Sequence, residues 1–163
     1  MRIFFDTEFT ELGIDPRLIS IGLISEDGQR EFYDELSDTY SIEDCGDFAR
    51  LAVMPKPTGA EVRMSLAELG DRLYAWHTAF GEPIMLTTNS LACDWPWIQE
   101  IFYDRTWPES VARTPEILGQ TPGFARAVET AVTRHRLRRH HALDDAKANR
   151  LAWIAVDDQQ GEA

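Results

Sequence analysis

Residues Arg2–Phe9 read RIFFDTEF, an apolar run of strand length that contains two acids. Side chains two apart in a β-strand project from the same face, so the run predicts that Asp6 and Glu8 lie side by side. Two neighbouring carboxylates on a buried strand are costly unless a counter-charge neutralises them. A hard divalent cation such as Mg²⁺ or Mn²⁺ would do so, whereas the alternative is an edge strand with two solvated carboxylates.

The composition indicates one globular domain. The chain has 163 residues, of which 44% are hydrophobic, enough for a core of its own. No apolar run approaches the ~18 residues of a membrane span, and no basic and apolar leader precedes Asp6, so we expect a cytoplasmic protein without membrane association. The two cysteines, Cys45 and Cys93, predict reduced thiols rather than a disulfide framework.

The formal net charge of −12 argues against tight, non-specific binding to a nucleic-acid duplex, which depends on phosphate neutralisation. It leaves open an enzyme that grips only a few nucleotides through a metal cluster and a local basic patch. One such patch exists at residues 134–141, which read RHRLRRHH.

The first third of the chain predicts an antiparallel meander. Three strand-like runs are joined by turns, and the second turn carries Asp-Gly, a strong hairpin signal. Further strands are expected at Pro83–Thr88 and around Ile117. The predicted strands of the meander are Arg2–Phe9, Arg17–Ser25 and Arg30–Glu35.

Helices are predicted in the rest of the chain. Ser65 and Glu68 form the pattern of a capping box, followed by apolar residues at helical spacing. A short helix over Ser41–Leu51 is expected to end at a loop over residues 55–59. The other predicted helices are Asp94–Tyr103, Phe124–His135 and Ala142–Val156.

Two other segments carry candidate functional acids. Asp94 follows the predicted strand Pro83–Thr88 at a helix start, where α/β folds gather functional groups and where Asp is also a common helix cap. His140 lies five residues before Asp145, so the imidazole falls on a loop and the carboxylate in the first helical turn. The alternative for this segment is a surface histidine with acids that complement the helix dipole.

The last helix also shows how Asp145 could reach the sheet. Ala148, Ala152 and Ala155 follow Asp145 at helical spacing, and small residues let a helix face approach a sheet closely. We therefore expect Asp145 to lie near Asp6 and Glu8.

Together, the three segments resemble the motifs of the DEDDh subgroup of 3′–5′ exonucleases. Asp6-Thr7-Glu8 matches the first motif, and residues 140–146 match the third, His-x-Ala-x-x-Asp-Ala, which selects His140 over His141 and Asp145 over Asp144. The second motif departs from the pattern, because the segment from Asn89 to Asp94 is one residue longer and has Cys93 instead of an aromatic. With Phe9 after Glu8, the chain most resembles the small bacterial exoribonucleases related to mycobacterial ribonuclease AS.

The resemblance implies an α/β, ribonuclease H-like fold with a mixed five-stranded sheet, three antiparallel meander strands plus parallel strands, flanked by helices. It implies a single exonuclease domain over residues 1–157 with a disordered tail at 158–163. The implied activity is removal of nucleoside 5′-monophosphates from the 3′ end of single-stranded RNA, by a protein that is often a homodimer. The site would hold two Mg²⁺ or Mn²⁺ ions through Asp6, Glu8, Asp94 and Asp145, with His140 as general base.

Several residues are candidates for substrate binding. Phe9 and Trp95 could stack on bases, although the strand alternation of Phe9 and the helical spacing of Trp95 also suit core positions. The arginines of the basic patch, at positions 134, 136, 138 and 139, could contact phosphates or form a solvated helix end. The full set of candidates is Thr7, Phe9, Trp95, Arg138 and Arg139.

The same sequence features are compatible with three other functions. A 3′–5′ DNA exonuclease of the proofreading or repair type differs only in the sugar that it accepts. A non-catalytic nucleic-acid-binding module would keep the fold without the chemistry, and a metal-dependent phosphohydrolase would act on small nucleotides alone.

Overall fold

A computed structural model describes residues 1–54 and 63–161, with side chains through residue 157. Its centre is one mixed sheet in the order β4-β3-β2-β1-β5-β6. β1, β2 and β3 form the predicted antiparallel meander, whereas β5 runs parallel to β1, β6 parallel to β5, and β4 parallel to β3. The strands are β1 Arg2–Phe9, β2 Leu18–Ser25, β3 Glu31–Leu36, β4 Arg63–Met64, β5 Met85–Thr88 and β6 Glu116–Ile117.

The α/β fold class is confirmed, but the prediction of five strands was wrong by one. The additional strand is β4, which consists of only two residues, Arg63 and Met64, paired with the end of β3. Two residues are too few to produce an alternating pattern, so local sequence gave no sign of this strand. The short strand expected around Ile117 is β6.

In the described part of the chain, four α-helices flank the sheet: α1 Leu66–Thr78, α2 Leu91–Ile101, α3 Phe124–His135 and α4 Ala142–Gly161. The predicted capping box opens α1, where the Glu68 N–H donates to Ser65 Oγ over 3.2 Å and the Ser65 N–H to Glu68 Oε2 over 2.9 Å. α2 starts three residues earlier than expected, and α4 extends beyond the predicted end at Val156. No helix among the described residues is both long and apolar enough to cross a bilayer.

The predicted helix over Ser41–Leu51 is instead two short turns. A 3₁₀ turn covers Ile42–Asp44 and a π-helical turn covers Ala49–Val53. The loop predicted over 55–59 lies outside the described residues.

The two faces of the sheet are covered by different helix pairs. Ile3 and Phe5 of β1 enter a core shared with α1 and α2, whereas Phe4 enters a core shared with α3 and α4. Strand alternation therefore gives Asp6 and Glu8 the same face as Phe4, the face that α4 covers.

The start of α4 lies directly on the sheet. A Cβ atom at Gly22 would come within 2.1 Å of the Leu143 nitrogen, so the contact requires glycine in the middle of β2. Ala148 and Ala152 are fully buried as expected, whereas Ala155 is exposed. This close packing brings the first turn of α4 to the end of β1.

Candidate active site

A cavity of about 470 Å³ opens where β1 ends, and all five predicted catalytic residues line it. β1 contributes two carboxylates, α2 one, and the loop and first turn at the start of α4 contribute the histidine and the last carboxylate. These residues are Asp6, Glu8, Asp94, His140 and Asp145. Tertiary structure thus unites three segments that are far apart in the sequence.

Part of this group has the geometry of a metal site. Ligand atoms of Glu8, His140 and Asp145 all lie within 4.8 Å of one another. Two of the three are carboxylates, the hard oxygen ligands that divalent cations such as Mg²⁺ prefer. The donor set therefore suits a divalent cation.

The cavity is poor in positive charge. Burial raises the pKa of the Asp6 carboxyl well above its usual range, and the neighbouring Asp94, Asp145 and Glu8 carboxylates raise it further. Burial also raises the pKa of Asp94 to about 6, although hydrogen bonds from Thr88 and Thr7 act in the opposite direction. Several acids in one buried site need a counter-charge if all are to stay ionised.

Asp94 is fixed by two strands and is not a helix cap. Its Oδ1 accepts from the Thr7 N–H over 3.2 Å and from Thr7 Oγ1 over 2.7 Å, and its Oδ2 accepts from Thr88 Oγ1 over 2.5 Å. The N-cap of α2 is Ser90, four residues earlier. The side chain is only 2% exposed. The Thr7 hydroxyl, expected to bind substrate, therefore holds Asp94 in place.

The two neighbouring histidines occupy different environments. His140 lines the cavity, adopts a left-handed backbone with φ of 57°, and its N–H donates to Asp145 Oδ2 over 2.7 Å. His141 is buried and its ring stacks on Tyr33, with centroids 4.4 Å apart. Burial and the nearby Arg138 charge lower the pKa of His141 to about 4.

The predicted arginine contacts are made with protein carboxylates. Arg138 Nε donates to Asp144 Oδ2 over 2.7 Å, and the residue lies outside the cavity lining. Arg139 lines the cavity, where it donates to Asp145 Oδ1 over 3.2 Å and also bonds to Glu129.

The two aromatic candidates differ in position, because Phe9 lines the cavity and Trp95 does not. Trp95 packs edge-to-face on Trp107, with centroids 5.9 Å apart, against the core shared with α1 and α2. It is outside the described lining of the cavity, and its stacking on a base stays a prediction. Phe9 packs near Trp97, with ring centroids 6.2 Å apart, and also lines the cavity, whereas its stacking on a base stays a prediction. The β1–β2 register shifts between Glu8 and Phe9, and such a bulge redirects side chains.

Sequence reasoning missed part of the cavity wall. Phe48 and Leu12 are exposed apolar residues at its mouth, and Asn149 donates to Asn89 Oδ1 over 3.1 Å in its wall. Asn149 could have been found, since it lies one helical turn after Asp145 on the same helix face. Phe48 and Leu12 carried no signal, because neither belongs to a periodic apolar pattern.

Known structures define the class of fold. The chain has the fold of exonucleases: it matches E. coli exonuclease I in a zinc-bound complex with single-stranded DNA at a TM-score of 0.60, with 14% identity over 98% of this chain and 40% of that one. The catalytic unit of Neurospora crassa Pan2, with protease and nuclease domains, matches at a TM-score of 0.57, with 14% identity over 99% of this chain and 27% of that one.

Sequence similarity points to particular relatives. The chain is 48% identical over 56 residues to 3′–5′ exoribonucleases from two strains of Mycobacterium tuberculosis. This alignment covers 34% of the chain and about a third, 32%, of the length of each relative. No protein-family model matches the chain. The predicted resemblance to 3′–5′ exonucleases and the ribonuclease H-like fold are confirmed.

Proposed function

We propose that this protein is a metal-dependent 3′–5′ exoribonuclease that releases nucleoside 5′-monophosphates from single-stranded RNA. One observation carries the proposal: four carboxylates and a histidine from three distant segments converge in one cavity that is poor in positive charge. Such an arrangement is costly for folding, and a costly cluster of perturbed acids in a cleft is typical of a functional site.

Each member of the cluster has a proposed role. Asp6, Glu8, Asp94 and Asp145 would hold two Mg²⁺ or Mn²⁺ ions, which supply activation of water and stabilisation of charge on the leaving oxygen. His140 accepts the proton of the attacking water as general base. Attack on the terminal phosphodiester breaks the P–O3′ bond, and the released product carries the phosphate at its 5′ position. Thr7 and Thr88 keep Asp94 aimed at the cavity.

A single-stranded 3′ end suits the charge of the protein. Arg138 and Arg139 are bonded to Asp144 and Asp145, so the basic patch supplies less phosphate neutralisation than its sequence suggests. Tight duplex binding depends on such neutralisation. A short end held by metal ions and the apolar mouth of the cavity is the better match.

RNA is preferred over DNA in this proposal because the relatives that share the 56-residue segment are named exoribonucleases. The fold neighbour solved with single-stranded DNA favours the alternative of a 3′–5′ DNA exonuclease. We also propose a homodimer, for which the exposed Tyr74 and Tyr103 offer apolar surface. Light scattering of the purified protein measures this directly.

The deciding experiment uses matched 5′-labelled RNA and DNA oligonucleotides with Mg²⁺, with Mn²⁺ and with a chelator. We expect a ladder that shortens from the 3′ end of RNA, 5′-monophosphates by mass spectrometry, and no cleavage with chelator. Asp6→Ala should abolish the ladder, whereas Asp104→Ala, an exposed aspartate outside the cavity lining, should leave it intact. Preferential cleavage of DNA would support the DNA exonuclease instead. Binding without cleavage would support a non-catalytic module, and cleavage of dinucleotides alone a small-nucleotide phosphohydrolase.

A further inference from the structure

One wall of the cavity is built by residues 46–53, and the aromatic ring of Phe48 stands out in it. This side chain is 63% exposed although it is large and apolar. Its ring meets the His140 imidazole nearly at a right angle, with centroids 4.8 Å apart and an interplanar angle of 86°. This is the favourable edge-to-face geometry of an aromatic pair.

The segment that carries Phe48 is anchored on both sides of the ring. Before it, the Gly46 N–H donates to the Thr10 carbonyl over 2.9 Å, which ties the segment to the chain just after β1. After it, Ala49 and Val53 are buried in a small core with Ile19. The backbone beyond Phe48 takes a π-helical turn, a rare conformation that is frequent at functional sites. Phe48 is thus exposed on a fixed support.

His140 itself is held mainly through its backbone. It lies in the loop before α4 with a positive φ, and the bond from its N–H to Asp145 fixes the main chain but leaves rotation about the side-chain bonds. Among the described residues, Phe48 is the aromatic partner of the His140 ring. A general base acts only when its nitrogen is within hydrogen-bond reach of the proton it abstracts.

We propose that Phe48 is a positioning residue that holds the His140 imidazole in its working orientation over the carboxylate cluster. This inference rests on the proposed function, because it assigns to Phe48 a share in the step for which His140 is the general base. An orienting contact affects the rate of the chemical step. A contact with the substrate itself would mainly affect KM.

The kinetic test compares variants on a 5′-labelled RNA oligonucleotide with Mg²⁺. Phe48→Ala and Phe48→Leu should lower kcat by about 10- to 100-fold, the range found when groups that orient metal ligands are lost, with KM changed by less than about 3-fold. Phe48→Tyr keeps the ring and should restore kcat to within about 3-fold of wild type. The matched control is Leu51→Ala, since Leu51 is on the same segment, is 80% exposed and lies outside the cavity lining. An unchanged kcat in Phe48→Leu, or a rise in KM alone, would overturn the proposal.

A second readout is independent of turnover. The chain has four histidines, so the ring signals in a ¹H–¹³C NMR spectrum can be assigned with a His140→Gln variant. We expect ring-current shifts of the His140 signals in wild type and Phe48→Tyr that are lost in Phe48→Leu. Identical His140 signals in wild type and Phe48→Leu contradict the positioning role. If wild type cleaves neither RNA nor DNA, the proposed function fails, and the NMR result still decides whether the Phe48 ring contacts the His140 imidazole.

Discussion

Two neighbouring arginine–histidine–aspartate clusters flank the start of α4, and they differ in what surrounds them. In the outer cluster, Arg138 bonds to Asp144, and His141 lies 3.8 Å from the same carboxylate. The inner cluster, so named because it lines the cavity, contains Arg139, His140 and Asp145. The Arg139 side chain bonds to Asp145, and the backbone N–H of His140 donates to the same carboxylate. The members of the two clusters are adjacent in sequence, residue for residue.

The electrostatic outcome of the two clusters is opposite. Burial raises the pKa of Asp144, but the bonds from the Arg138 side chain and backbone N–H outweigh it, and the net pKa is lowered. Burial raises the pKa of Asp145 and outweighs the bonds from Arg139 and the His140 N–H, so the net pKa is raised. In the outer cluster the ion pair favours the ionised form of Asp144. In the inner cluster burial in the cavity disfavours the ionised form of Asp145. One residue of offset turns a side chain by about 100° on a helix, which is enough to separate the two roles.

The largest expected difference between the clusters is in the kcat that remains after each carboxylate is replaced. Asp145→Asn should lower kcat by more than about 10²-fold, because even groups that only support metal ligands cost 10- to 100-fold when lost. Asp144→Asn should stay within about 10-fold, since Asp144 bonds Arg138 and lies outside the cavity lining. Steady-state RNA cleavage measures both. Equal losses in the two variants would remove the functional distinction between the clusters.

The two histidines should show a difference in turnover of similar size. His140→Ala should lower kcat by about 10²- to 10⁴-fold, the usual contribution of a general base. His141→Phe preserves an aromatic ring on Tyr33 and should keep kcat within about 10-fold. Single-turnover cleavage separates this chemical step from product release. A larger loss of kcat in His141→Phe than in His140→Ala would indicate that the general base is His141, in the outer cluster.

The pH dependence of stability should distinguish the cavity from the outer cluster in metal-free protein. The pKa of Asp94 rises from its ordinary 3.8 to about 6 in the folded state, so the ionised carboxylate destabilises the fold above pH 6 and the penalty disappears as the pH falls towards 3.8. Asp94→Asn should therefore be stabilised relative to wild type at pH 7.5, by up to about 3 kcal/mol, and the advantage should vanish near pH 4.

Asp144→Asn should show the opposite sign. The pKa of Asp144 is lowered in the fold, so its stabilisation is present above the unfolded pKa and is lost as the pH falls through the folded pKa. Urea unfolding at pH 7.5, at pH 4 and at a pH well below 3.8 measures each variant against wild type. This difference cancels the effect of His77, whose pKa near 4 acts on both proteins. A matching pH trend in the two variants would contradict the assignment.

The smallest expected effects are those of the arginines. Arg138 is 44% exposed, so Arg138→Ala should lower the free energy of unfolding by only about 0.2–1 kcal/mol. Arg139→Ala removes a positive charge from the cavity and should reduce the Mg²⁺ concentration for half-maximal activity by about 2- to 5-fold. Mg²⁺ titration of the activity of both variants provides the comparison. A change in the half-maximal Mg²⁺ concentration with Arg138→Ala alone would contradict the assignment of Arg139 to the cavity.

Sequence predicted the fold where patterns were long. Apolar runs of strand length with an Asp-Gly turn located the meander, and β1 and α3 have their predicted bounds. Sequence failed to predict elements that were too short to repeat their period, as in β4, and places where the backbone was irregular. The bulge after Glu8 decided that Phe9 both packs in the core and faces the cavity, and no local pattern reports a bulge that depends on pairing with β2.

Substrate contacts were less predictable than the acids. Thr7 and the two arginines have the right chemistry for a substrate, yet their bonds go to Asp94, Asp144 and Asp145. A side chain's choice between ligand and protein partner depends on distances across strands and helices. Phe48 was missed for the same reason, because its contact with His140 joins segments 92 residues apart.

The sequence by itself determined which side chains share a face, because that relation follows from the local periods of strand and helix. Its resemblance to the exonuclease motifs indicated which acids and which histidine could form a site. The match to the third motif already selected His140 and Asp145 from the two adjacent pairs, and the tertiary structure decided that both line one cavity with Asp6, Glu8 and Asp94. The tertiary structure also decided that the arginines are paired and that Phe48 stands against His140. These outcomes depend on the approach of α4 to Gly22 and on the path of the chain around the end of β1, which are set by packing between distant segments.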